Sequence, residues 1–211
     1  MTPFEVRTVD KAIAKRLIIK HHYSHKWSSC RYALGLILDN KIHGIATYGY
    51  PVGRQVVTSI TTKPLEPDAV LELTRLWITD KDGKNTESWF LGKTFQWLRD
   101  NSRTKILISY SDPMYHHVGT IYQATNWWYQ GNNTMLIKSY IHVVKGERLH
   151  PRTCVAKYGT VKTEELLKID PNYKRIKMEK KHRYLYVLHN RDRKNILKTL
   201  KHPLVKYPKK L

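Results

Sequence analysis

The sequence predicts an α/β fold (α+β in its mixed ordering), a central sheet flanked by helices and followed by a basic C-terminal extension. Three observations lead there. Residues 106–131 read as a strand, a short helix and a second strand. Two apolar runs, residues 32–38 and 41–48, are joined only by Asp39-Asn40, the signature of a tight β-hairpin. A chain of 211 residues with 41% hydrophobic and 11% aromatic side chains can bury one sizeable core with an appendage.

The elements follow in order. Residues 4–9, Phe-Glu-Val-Arg-Thr-Val, alternate as a strand. Asp10 is placed to cap a helix over residues 11–20, with Ile13, Leu17 and Ile18 inward. The polar loop that follows carries His21, His22, Tyr23, His25 and Trp27. After the hairpin, residues 48–55 form a flexible glycine-bearing loop, and residues 56–68, with Pro64 and Pro67, are expected to be irregular. Residues 71–78 alternate as the next strand and hold Arg75. An arginine there is either a rim residue or, in a cleft, a planar fork for phosphate or carboxylate. A turn at residues 80–86 ends at Asn85 or Thr86, which caps a helix to about residue 101. The open amides of that helix start, with Ser88 in the first turn, are a natural phosphate site.

In the central stretch, residues 106–110 are a buried strand. Ser111-Asp112-Pro113 offers a helix start, and Val118, Ile121, Tyr122 and Thr125 share one helical face up to about Asn126. Residues 127–129 begin another extended piece, and residues 135–144 a final long strand. From His150 onward the chain turns basic and less periodic. Residues 168–211 carry 11 Lys and 4 Arg against three acids, interleaved with tyrosines; they include a strand-like core at 180–188 and a short basic helix near 190–200. The domain expectation is therefore a main domain over residues 1–150 and a basic extension over 151–211 that packs on it and contacts DNA.

The net charge of +21, from 38 basic and 17 acidic residues, favours a polyanionic partner, with nucleic acid foremost. No long apolar segment or basic amphipathic leader points to a membrane. Cys30 and Cys154 have no zinc-like spacing. The three histidines of the early loop lack the helical spacing of a metal site, so the metal expectation is none, with His22 the lesser candidate.

The order of elements is similar to that of N-acetyltransferase-like (GNAT) folds, a mixed central sheet flanked by helices. Glu72-Leu73-Thr74-Arg75-Leu76, residues 85–89, Ser109-Tyr110-Ser111-Asp112, residues 119–127 (Gly-Thr-Ile-Tyr-Gln-Ala-Thr-Asn-Trp), the His22-Tyr23-Ser24 loop and Lys181-His182-Arg183-Tyr184 resemble the Mom family of phage DNA-modification proteins. The resemblance spans roughly residues 20–190. It implies a GNAT-like enzyme of the bacterial host's cytoplasm, infected or lysogenic, that adds an acetamido (carbamoylmethyl)-type group to adenine N6 in double-stranded DNA and so blocks restriction. It implies catalytic roles for Asp112, Tyr122, Arg75, Ser88 and Tyr23. Asp112 would take the N6 proton, and Tyr122 would protonate a leaving thiolate. Arg75, Ser88, Asn85 and Thr86 would hold the donor, and His22, Tyr23, Trp27, Lys180, Lys181 and Arg183 would contact DNA. The usual GNAT pyrophosphate loop is missing: the region reads Asp82-Gly83-Lys84-Asn85-Thr86-Glu87-Ser88. The donor thus stays open between acetyl-CoA or a related acyl donor and an iron-assisted radical route. The alternatives in function are a conventional N-acetyltransferase and a non-catalytic DNA-binding protein.

Overall fold

The computed structural model describes residues 4–79, 83–115, 117–132 and 140–208. The chain divides into two compact units, one of residues 1–111, 118–131 and 182–211, the other of residues 112–117 and 132–181. Among the described residues no helix is long and apolar enough to cross a membrane.

The first unit is built on a seven-stranded sheet, β1-β2-β3-β4-β5-β10-β6. Its chain order is β1 (Glu5–Thr8), α1 (Lys11–His21), β2 (Tyr32–Leu38), β3 (Lys41–Gly49), α2 (Arg54–Thr58), β4 (Val70–Ile78), α3 (Thr86–Asn101), β5 (Ile106–Ser111), α4 (Thr120–Ala124), β6 (Trp128–Tyr129), β10 (His182–Val187) and α7 (Asn190–Thr199). Asp10 caps α1 as expected, its Oδ1 accepting from the amides of Ala12 (2.8 Å) and Ile13 (3.3 Å). The hairpin turn places both Asp39 (φ 49°) and Asn40 (φ 59°) in the left-handed region, the conformation that matches strand twist. All pairings are antiparallel except β4 with β5.

Strand alternation sorts the apolar residues onto two faces. On one, Leu34, Leu36, Ala46, Tyr48, Leu71, Leu73 and Leu107 meet Phe90, Leu91, Phe95 and Leu98 of α3. Each of those α3 side chains contributes about 1.5–3 kcal/mol by leaving water. The Tyr48 phenol, buried in this layer, bonds Thr94 Oγ1 at 2.6 Å. On the other face, Ala33 and Ile45 receive Ala14 and Ile18 of α1. Val70, Ile106, Ile108, Leu185 and Val187 receive Val56 of α2 and Ile196 of α7.

Three expectations change. The segment after Val56 is not wholly irregular, since α2 opens it. Asp112-Pro113 starts only a 3₁₀ turn, Pro113–Tyr115, and the helix proper begins after Gly119. Residues 182–208 do not stand apart as an extension. β10 lies inside the sheet, paired over six residues with β5 and two with β6. The tail beyond α7 is tied down by Lys201 N to Ile60 O (3.0 Å) and Val205 N to Tyr129 O (2.9 Å).

The second unit holds a three-stranded antiparallel sheet, β8-β7-β9, of β7 (Tyr140–Val144), β8 (Glu147–Leu149) and β9 (Lys174–Lys177). Two helices pack with it, α5 (Pro151–Tyr158) and α6 (Thr163–Ile169), where the sequence reads as more basic and less periodic with no helix placed. Proline in the first turn and Gly159 at φ 74° after the last are ordinary helix punctuation. Val144, Leu149, Cys154, Leu166 and Tyr173 form the core. Asp170 anchors two loops, taking the amides of Lys145 (2.5 Å) and Asn172 (2.9 Å). Of the expected strand over 135–144, residues 135–139 lie outside the described residues.

Gly119 (φ 73°) sits where an added Cβ would meet the Tyr184 ring at 2.6 Å, whereas Gly131 (φ 79°) has its nearest neighbour at 3.6 Å. Gly131→Ala should cost about 1–2 kcal/mol from backbone strain alone. Gly119→Ala should cost about 1–3 kcal/mol more through overpacking. Urea unfolding midpoints compare the two; equal losses would show that Tyr184 yields freely.

Candidate active site

β4 and β5 are hydrogen-bonded neighbours only over Val70–Glu72 and Ile106–Ile108. Beyond that, β4 pairs only with β3 and β5 only with β10, so the sheet opens between them. Backbone groups that lose a ladder partner need another. Ser109 supplies one: its hydroxyl lies 3.0 Å from the Leu73 carbonyl and 2.8 Å from the Tyr122 phenol oxygen, with a single proton for the two.

Tyr122 is held by α4 against Trp127 and Tyr184, with ring centroids at 5.1 and 4.8 Å. Burial pushes its pKa up to about 12; the Ser109 hydrogen bond opposes this, and the charges of Tyr23 and Glu72 add to it. Tyr110 is likewise raised to about 12, chiefly by burial, with Arg183 opposing and Glu72 adding. Arg75 is lowered by burial, while Tyr23 and Glu72 favour its charged form. Five groups therefore share one field at the opening: Tyr23, Glu72, Arg75, Tyr110 and Tyr122. Register assigns them to sides. Glu72 pairs with Ile108 and Arg75 with Thr47, so both belong to the α1 face, whereas Ser109 stands opposite Tyr184 on the α3 face. The seam thus has Glu72 and Arg75 on one face and Ser109 on the other.

Arg75 is fixed by two backbone acceptors, Lys26 O (2.8 Å from Nε) and Thr74 O (2.5 Å from Nη1). His22 is buried; its Nδ1 accepts from Ser24 N (3.1 Å) and lies 2.9 Å from Ser24 Oγ. An Nδ1 that accepts leaves the neutral ring's proton on Nε2. The Tyr23 ring, half exposed, lies 4.2 Å from the His22 ring.

The donor residues expected at the α3 start are only partly as read. Asn85 adopts the left-handed region (φ 67°) and its side chain caps nothing. Thr86 Oγ1 donates to Gly83 O (3.2 Å) and Ser88 Oγ to Asn85 O (2.9 Å), so both hydroxyl protons serve the backbone. Asn85 and Ser88, with Trp89, Gly92, Thr125 and Tyr186, line a groove of about 360 Å³ between α3 and α4.

Other expected site residues are placed differently. Asp112 belongs to the second unit, where Oδ1 accepts from Met114 N (3.1 Å) and Oδ2 pairs with Lys181 Nζ (3.1 Å). Trp27 packs against the α1 core with Leu17 and Trp77. Arg183 is 0% exposed and cannot reach a DNA backbone as the sequence suggested. Lys180 is exposed. Among the described residues no three His, Cys, Asp or Glu side chains come together as a metal site, His22 included. The sequence reading missed Glu72, Ser109 and Tyr110 as site residues. A carboxylate between Leu71 and Leu73 of a buried strand was the available signal.

An unfolded tyrosine loses its proton near pH 10. Folded Tyr122 keeps its proton to about 12, so the folded state binds more protons in that window. Its stabilising effect is complete below pH 10 and is lost as pH rises to about 12, at about 1.4 kcal/mol per pH unit. Melting midpoints measured from pH 9 to 12 should fall less steeply for Tyr122→Phe than for wild type. Identical slopes would show that Tyr122 titrates normally.

Comparison with known proteins gives a family. No curated protein matches the chain. The chain is similar to ribosomal-protein-S5-alanine acetyltransferase from Vibrio fischeri, at 11% identity over 90% of this chain and 96% of that one (TM-score 0.49). It is also similar to RimL, a ribosomal L7/L12 alpha-N-protein acetyltransferase, at 10% identity over 89% and 95% (TM-score 0.48). A third is yncA, a putative acetyltransferase from Salmonella typhimurium solved with its cofactor acetyl-CoA, at 9% identity over 89% and 95% (TM-score 0.48). The profile of the Mom protein family matches residues 3–209, nearly the whole sequence, and the chain belongs to that family.

Proposed function

We propose that this protein is a transferase that modifies adenine N6 in double-stranded DNA with an acetamido (carbamoylmethyl)-type group, protecting phage DNA from restriction in the host cytoplasm. Family membership supports the reading, and so does the charge of +21. The observation that carries it is the seam where β4 and β5 part, with Glu72 and Arg75 on one face and Ser109, bonded to Tyr122, on the other.

The chemistry asks for that arrangement. The N6 lone pair is delocalised into the purine, so the amine must be positioned and must lose a proton as the new N–C bond forms. Glu72 is assigned the proton-accepting role in place of Asp112, because it stands at the seam on the face of Arg75 and its charge bears on Tyr110 and Tyr122. Arg75, held by two carbonyls, keeps Nη2 without a hydrogen bond among the described residues, available to an acceptor atom of the base or the transferred group. Tyr122 directs a hydrogen bond to charge developing on the departing group. His22 and Tyr23 form an aromatic pair against which an extruded base stacks.

A CoA-type donor fits in part. The α3 amides, with Asn85 and the α3–α4 groove, would hold its phosphates and chain, and the group would supply an activated carbon to the nucleophile. Ser88 and Thr86, whose hydroxyl protons serve the backbone, would accept from N–H groups of the donor and would not hold its phosphates.

Mass spectrometry of nucleosides from plasmid DNA of expressing cells tests the reading. A heavier deoxyadenosine is expected, with a mass that identifies the group. Unchanged nucleosides from a soluble, DNA-bound protein would overturn it. Glu72→Gln and Tyr122→Phe should each lower the modified fraction by about 10²-fold or more. Asp112→Asn should lower it far less; the reverse ranking would return the proton to Asp112.

A further inference from the structure

The helices on the two faces of the main sheet carry very different charge. α3 has Lys93 and Arg99 against Glu87 and Asp100, and α4 has no charged residue. On the opposite face α1 has Lys11, Lys15, Arg16 and Lys20 with no acid, and α7 has Arg191, Arg193, Lys194 and Lys198 against Asp192 alone. α2 adds Arg54 without an acid, and the segment after it is tied to the end of α7 through Thr62 N to Thr199 O (2.7 Å). Lys11, Lys15, Arg16, Lys20, Arg54, Arg191, Lys194 and Lys198 are all exposed. Among the described residues none of them is in a salt bridge. A solvated face needs no such bias, because solubility is served as well by mixed signs.

We propose that the α1–α7 face is the docking surface for the DNA duplex. The inference rests on the reading of the protein as a DNA adenine-modifying enzyme and assigns where that substrate lies. Two further observations favour this occupant. α1 sits over β2 and β3, and α7 over β5 and β10. Three strand spacings then separate the two basic ridges, about 14 Å or more, so they flank the β4–β5 seam on one face and a duplex laid across them meets both with its phosphates. The C-terminal end of α1 also runs directly into His22 and Tyr23, and Glu72 and Arg75 belong to the same face of the sheet. A duplex held there by its phosphates offers an extruded base to the β4–β5 seam from the α1 side, leaving the α3–α4 groove on the other side to the donor.

The test is binding of a 30-base-pair duplex to the full-length protein across a salt series. Two triple variants are compared with wild type: Lys15→Gln, Arg16→Gln, Lys20→Gln on α1, and Arg191→Gln, Lys194→Gln, Lys198→Gln on α7. A third, Lys168→Gln, Lys174→Gln, Lys177→Gln, removes the same charge from exposed positions of the second unit. These surface changes leave folding intact, which thermal melting verifies for each. The α1 and α7 variants should each lose about tenfold or more in affinity near 0.15 M salt. Their log–log salt slopes should fall by about 0.9 per phosphate contact removed, and the third variant should keep the wild-type slope. Wild-type slopes in both helix variants, or a loss confined to the third, would overturn the assignment while leaving the DNA substrate standing. A wild-type protein that ignores duplex DNA would overturn both.

Discussion

The short parallel seam between β4 and β5 governs the rest of the main unit. Three residue pairs hold it, and each strand then turns to a different antiparallel partner. A sheet that opens leaves peptide groups unpaired in its interior, which is costly unless something polar replaces the ladder. Ser109 does so from β5 and links the replacement to Tyr122. On the neighbouring seam a bulge between Thr47 and Tyr48 is satisfied in a similar way, by Thr74 Oγ1 reaching Thr47 O and Ser29 O, both at 3.1 Å. Hydroxyls in strands thus stand where backbone pairing fails, and the reactive groups collect at the gap that results.

The gap also explains why charged residues are tolerated in so apolar a sheet. Glu72 lies one residue from Leu71 and Leu73, and Tyr110 and Arg183 oppose one another across β5 and β10. In a closed sheet each would face desolvation with little return. At the seam Glu72 favours the charged form of Arg75, while burial works against the ionised forms of Arg75, Tyr110 and Arg183. Arg183 is the extreme case: it is wholly buried, and its Nε and Nη2 have no partner among the described residues.

Much of this architecture was legible in the sequence, where local chemistry is strong. Asp10, Asp39-Asn40 and the periodic helix after Asn85 announce themselves, because caps, turns and helix faces depend on neighbours in the chain. The position of β10 could not be read that way. His182-Arg-Tyr-Leu-Tyr-Val is flanked by lysines and resembles a basic recognition segment, and only long-range pairing with β5 reveals Arg183 as interior. Charge density likewise masked α5 and α6, although Pro151 and Glu164-Glu165 carry helix-start signals. Within the site, Arg75, Tyr122 and Tyr23 stood out in the sequence motifs, and in the fold they influence one another's charge; Glu72 did not stand out, because a motif match draws attention to the arginine beside it.

The raised phenol limits what Tyr122 can do. A proton donor with a pKa of about 12 gives its proton fully only to a more basic group. Transfer to a leaving group of thiol-like acidity, near 8.5, would be uphill by about 3.5 pKa units, or about 5 kcal/mol. The sequence-based expectation that Tyr122 protonates the departing group therefore gives way to a milder role. In the proposed reaction it contributes a hydrogen bond from a neutral, positioned donor, which would stabilise charge as it develops and return to its resting state unchanged. Such a donor needs its proton retained throughout turnover, and the same burial that raises its pKa ensures this. The tyrosine-rich wall around it, Tyr184 and Trp127 included, thus acts on the chemistry through desolvation as much as through packing.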